Sequence, residues 1–147
     1  MKYVPLGRTG LEVSRVCLGT MTWGTQNNQK DADEQIEYAL SRGVNFIDTA
    51  EMYSIPPNEE SYGKTETIIG DWLSRNPSRR EEFILATKIA GPGLHYIRDG
   101  GPITGAAIIA SVDASLKRLQ TDYIDLYQLH WPNRNTPHFA KHFPGQI

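Results

Sequence analysis

Val44-Asn45-Phe46-Ile47-Asp48 and Phe83-Ile84-Leu85-Ala86-Thr87-Lys88 are short apolar runs that each close on an ionisable residue. Between them, Thr65 to Arg75 reads as a helix, with Ile68, Ile69, Trp72 and Leu73 on one face. Asn76-Pro77 stops it, because the residue before a proline is pushed out of the helical region. Strand, helix and strand in this order imply a parallel pair, since the crossover must return the chain to the same end of the sheet.

The rhythm continues in both directions. Upstream, Asp31 to Arg42 reads as a helix whose early acids suit the positive end of its dipole, and Val16-Cys17-Leu18 as a strand buried on both faces. Downstream, Thr104 is placed to cap a helix with Ile108, Val112, Leu116 and Leu119 inward, and Tyr123 to His130 forms the next strand. Residues 1–15 read as a hairpin turning at Gly7-Arg8-Thr9-Gly10. An open doubly wound sheet and a closed (β/α)8 barrel both satisfy this alternation, but no Gly-x-Gly-x-x-Gly follows the first strand. The expected class is therefore α/β of the (β/α)8 TIM-barrel type. A full barrel takes about 250 residues. The 147 residues accordingly read as one domain holding the first four strand–helix units (16–130), with an irregular tail from 131 to 147.

Composition narrows the function. Seventeen acidic and fifteen basic side chains give a net charge of −2, short of the basic excess a nucleic-acid surface needs. No apolar run is long enough to span a bilayer, and the N-terminus lacks the apolar core of a secretory signal. Cys17 is the single cysteine, so no internal disulfide forms and a cytoplasmic location is expected.

Asp48, Lys88 and His130 stand at the ends of three strands, and Tyr53 follows Asp48 in the next loop. In parallel α/β folds these ends share one side, so the four are expected to converge. A phenol, with a pKa of about 10, is a poor acid at neutral pH unless a nearby ammonium stabilises its phenolate. A carboxylate would hold that ammonium, and a neutral imidazole can orient a substrate oxygen. Such a set suits protonation of the alkoxide formed when hydride reduces a carbonyl, and the hydride must come from a cofactor.

Gly7-Arg8-Thr9-Gly10-Leu11-Glu12-Val13-Ser14 with Leu18-Gly19-Thr20-Met21-Thr22-Trp23-Gly24 resembles the opening of the aldo-keto reductases. Phe46 to Tyr53 is similar to their aspartate–tyrosine segment, and Ser115 to Leu119 with Asp122 to Pro132 resembles the helix and strand that carry their histidine. The likeness runs to about residue 133 and is strongest to the branch that includes potassium-channel β-subunits. It implies a barrel closed below by the hairpin and NADPH-dependent reduction of small aldehydes or ketones. The implied tetrad is Asp48, Tyr53, Lys88 and His130: Tyr53 the general acid, Lys88 and Asp48 its tuning pair, His130 the orienting group. It also implies Thr20, Met21, Gln26 and Asp48 against the nicotinamide, and Trp23 and Trp131 in the carbonyl pocket. The family's remaining NADPH contacts come from loops after later strands, so this chain alone is expected to hold NADPH weakly or not at all. Self-association through exposed half-barrel edges is also expected. The competing expectations are a non-catalytic NADP(H)-binding or regulatory/interaction protein, or an inactive fragment.

Other signals point nowhere specific. Gly63-Lys64-Thr65 ends like a phosphate loop, but Asn58 stands where its first glycine belongs. His138 and His142 have helical ligand spacing without a third ligand, and no metal is expected. Cys17 reads as a small buried hydrophobe, and the glycines at 91, 93, 100 and 101 as bounds of a mobile loop.

Overall fold

A computed structural model describes residues 1–134; the tail beyond, with His138 and His142, lies outside the described residues. A hairpin of β1 (Tyr3–Pro5) and β2 (Glu12–Ser14) leads into a four-stranded parallel sheet of β3 (Leu18–Gly19), β4 (Phe46–Asp48), β5 (Ile84–Ile89) and β6 (Leu126–Leu129), in that spatial order. Helices α1 (Gln29–Ser41), α2 (Lys64–Arg75) and α3 (Gly105–Leu119) alternate with the strands. The register pairs Gly19 with Asp48, Asp48 with Ala86, and Lys88 with Gln128, so residues of neighbouring strands stand level.

Local chemistry sets the helix ends. α1 begins two residues before Asp31, because Asn28 accepts from the Asp31 amide while Asp31 accepts from the Asn28 amide, a reciprocal cap. Thr104 caps α3 through the Ala107 amide. α2 and α3 approach at Gly70, where a Cβ would stand 2.0 Å from the Arg118 carbonyl oxygen, so no larger residue fits there.

The core lies between the sheet's outer face and the helices, with Ile47 and Leu85 packed against Trp23, Ile36, Ile69 and Trp72. α3 differs from its sequence pattern. Ser111, Ser115 and Leu119 form its buried stripe, while Ile108, Val112 and Leu116 are half-buried. The small serines are the ones that fit between α3 and the strands. The expected strand at 16–18 also differs: β3 is only Leu18–Gly19, and Val16 and Cys17 are exposed rather than buried. β3 is an edge strand, and among the described residues no strand pairs with its free side.

Asn45 joins the hairpin to the start of β4: its side chain accepts from the Ser14 amide at 2.7 Å and donates to the Glu12 carbonyl at 3.0 Å. The hairpin thus sits at the end of the sheet opposite Asp48. At that lower end Arg80 pairs with Asp125 at 2.7 Å and donates to the Phe83 and Tyr123 carbonyls and the Thr121 hydroxyl. No helix among the described residues is long and apolar enough to cross a membrane.

Candidate active site

Alternation along β5 decides which groups meet. Leu85, Thr87 and Ile89 turn outward into the helix layer, leaving Ile84, Ala86 and Lys88 on the inner face. Lys88 Nζ donates to Asp48 Oδ2 at 2.6 Å and to the Thr49 carbonyl at 2.7 Å. Gln128, level with Lys88 on β6, donates to Asp48 Oδ1 at 3.2 Å. Both carboxylate oxygens are thereby fixed, and the Thr20 hydroxyl holds the Asp48 carbonyl at 2.8 Å.

The Lys88 ammonium also lies 4.9 Å from the centre of the Tyr53 ring. Tyr53 meets His130 edge to face at 5.5 Å, and His130 leans on Trp131 at 5.2 Å. Asp48, Tyr53, Lys88 and His130 therefore stand in one contiguous cluster at the upper rim. Burial, then the Lys88 ammonium, lower the His130 pKa to about 4, with Asp48 opposing. The imidazole is thus neutral at pH 7 and can donate or accept one hydrogen bond.

The other expected residues divide. Thr20 is buried beneath Asp48, whereas Met21 and Gln26 are exposed at the rim. Trp23 corrects the expectation of a pocket-lining residue: it has no exposed surface, packs in the core, and its indole N–H donates to Gln35 at 2.9 Å. The strand alternation cannot reach a loop residue, so nothing local predicted that direction. Trp131 is also mostly buried, its indole N–H on the Pro92 carbonyl at 3.0 Å, although its ring touches His130.

Sequence reading missed Gln128 and Glu51. Gln128 was legible, because the expected strand from Tyr123 to His130 puts it two residues before His130 and so on the same face; β6 itself is Leu126–Leu129, with His130 just past its end. Glu51 carried no such signal. It is fully buried, accepting from the Ala90 amide at 2.6 Å and from Arg98 at 2.7 Å.

The model of the Aldo/keto reductase family matches residues 15–144. The chain belongs to the aldo/keto reductase family. Over 144 residues it is 47% identical to Protein tas of Escherichia coli (strain K12), covering 96% of this chain and 41% of that protein. It is 40% identical to Aldo-keto reductase YhdN of Bacillus subtilis (strain 168), covering 93% of this chain and 40% of that one. A protein of Arabidopsis thaliana named as a voltage-gated potassium channel subunit beta is 36% identical, with 93% and 39% covered. Among solved structures, a Pseudomonas aeruginosa protein named as an aldo-keto reductase superposes with a TM-score of 0.69 at 32% identity, covering 88% of this chain and 46% of that chain. The chain spans about two fifths of the length of the curated relatives it matches. The family's α/β architecture, of (β/α)8 type, accounts for the parallel strand order seen here, and family members generally use a nicotinamide nucleotide.

Proposed function

We propose that this aldo/keto reductase chain carries the proton-transfer half of an active site that reduces small aldehydes or ketones to alcohols with NADPH. The observation that carries the reading is the Lys88 ammonium held between the Asp48 carboxylate and the Tyr53 ring, with His130 against that ring. The inner face beside Asp48 fits a flat nicotinamide. Gly19 is exposed, a Cβ there would meet nothing within 4 Å, and the exposed Met21 offers an apolar edge. Met21, Gln26 and Asp48 would hold that end of the nucleotide, with buried Thr20 fixing the Asp48 backbone beneath them, and the nucleotide supplies the hydride when bound.

This chain's own part is the proton. Neutral His130 orients the carbonyl oxygen beside Tyr53, and the phenol O–H donates as negative charge develops there. Lys88 stabilises the phenolate left behind, and Asp48 holds Lys88 in place. The barrel's remaining strands and the rest of the NADPH contacts would come from sequence like that of the longer relatives.

The test follows NADPH oxidation with an activated aromatic aldehyde, using the protein as its gene encodes it, alongside NADPH fluorescence titration. Turnover is expected, and Tyr53→Phe should lower kcat by about 10²–10⁴-fold, the usual worth of a positioned acid. Ordinary turnover in Tyr53→Phe would overturn the assigned role. NADPH binding with no turnover would support the regulatory reading instead, which the likeness to a channel subunit favours.

A further inference from the structure

The loop joining β5 to α3 reaches the segments that carry Tyr53, Lys88 and His130. Glu51 lies two residues before Tyr53 and has no exposed surface. Its Oε1 accepts from the amide of Ala90, two residues beyond Lys88, at 2.6 Å, and its own amide donates to the Lys88 carbonyl at 3.2 Å. One side chain thus ties the turn that aims Tyr53 to the strand end that aims Lys88. Arg98, from the loop, closes the knot: it donates to the same Oε1 at 2.7 Å, to the Ala90 carbonyl at 2.6 Å and to Ser111 of α3 at 2.8 Å.

The far side of the loop is fastened to the residues after His130. The Trp131 ring lies over Gly91, where a Cβ would fall 2.2 Å from the indole, and Asn133 exchanges two hydrogen bonds with the Ile103 backbone at 2.8 and 2.6 Å. The sequence alone suggested a mobile loop here; the structure shows a tethered one. Arg98 and Asp99 hold φ of 50° and 53°, a left-handed conformation that non-glycine residues avoid unless surrounding bonds impose it. A buried ion pair is weak evidence for stability, because well-packed apolar residues usually serve as well. Its geometry, linking three separate segments, is what an apolar pair could not reproduce.

We propose that Arg98, acting through Glu51, is a positioning residue that sets Tyr53 against Lys88 and His130. As an effect on turnover this rests on the reductase reading; as an effect on ring placement it does not. The experiment compares the full chain with Arg98→Ala, Arg98→Lys and Glu51→Gln. It measures kcat, KM, the NADPH Kd, and NMR cross-peaks between the Tyr53 and His130 rings. In Arg98→Ala, kcat should fall by about 10–100-fold with the NADPH Kd nearly unchanged, as a misplacement of about 1 Å produces. The ring cross-peaks should weaken while those between α2 and α3 persist, and added guanidinium at millimolar level should restore part of kcat in Arg98→Ala only. Arg98→Lys, which keeps the charge without the planar fork, should fall between, and it decides the matter if Arg98→Ala does not fold. Unchanged ring cross-peaks, or a lowered melting temperature with kcat intact, would overturn the proposal. Weakened cross-peaks in a protein that never turns over would sink the reductase reading and leave the positioning role standing.

Discussion

Two ion pairs stand at opposite ends of β5, and they are built to different standards. At the lower end Arg80 spends its donors on Asp125, Thr121, Phe83 and Tyr123, and lies 3.9 Å over the Tyr123 ring; Asp125 in turn accepts from the Leu85 amide. At the upper end Lys88 meets one carboxylate and one carbonyl, and Asp48 is 29% exposed at its side chain. The lower pair has little capacity left for anything but holding the strands in register. The upper pair keeps an open side toward Tyr53 and His130. Saturation marks the structural pair, and residual capacity marks the one available for chemistry.

Exchanging each cation for methionine should separate the two. On the proposed function, Lys88→Met should reduce kcat by about 10²–10⁴-fold, and it should cost less stability than Arg80→Met because Asp48 keeps 29% exposure and its hydrogen bond from Gln128. Arg80→Met should do the reverse. Breaking a buried pair costs about 3–5 kcal/mol, since the carboxylate of Asp125 is left unpaired with little access to water. Urea unfolding and steady-state rates on both variants make the check. If Lys88→Met unfolds as readily as Arg80→Met, the contrast between the two ends is lost.

Gln128→Leu probes the upper end more gently. It frees Asp48 Oδ1 but leaves the 2.6 Å contact with Lys88 through Oδ2. A neutral-to-charged hydrogen bond is worth about 1.5–3 kcal/mol at most, and the 3.2 Å length argues for the lower figure. A fall in kcat of about tenfold is expected, with the melting temperature lowered by only a few degrees. A larger loss than in Lys88→Met would mean that Gln128, and not the lysine, orients the carboxylate.

The difference between the ends also governs how much was legible in the sequence. Asp48, Lys88 and His130 stand at strand ends, where the two-residue alternation and the parallel order specify both face and rim. Their meeting needed only the topology. Arg80 and Arg98 lie in short 3-10 helices (Pro77–Glu82 and Arg98–Gly100) and Asp125 and Glu51 in turns, where no two-residue alternation says which way a side chain goes. Trp23 shows the same blindness: four residues past the end of β3, it turned into the core. Cys17 failed for another reason. An apolar run reads as buried on both faces only when a neighbour covers each side, and β3 has its partner on one side alone.

The last effect belongs to His130, and its sign follows from burial. The folded protein holds this imidazole at a pKa of about 4, below its ordinary value of 6.5, chiefly because burial disfavours the charged form. Between those values the unfolded chain takes up a proton that the folded chain refuses, so acid favours unfolding. His130 therefore contributes its full stability above about pH 6.5 and loses it progressively as the pH falls toward 4. Urea midpoints should decline across that window, and His130→Asn, which has no proton to gain, should flatten the slope. A slope that survived in His130→Asn would place the titrating group elsewhere and remove the reason for calling the imidazole neutral at the rim.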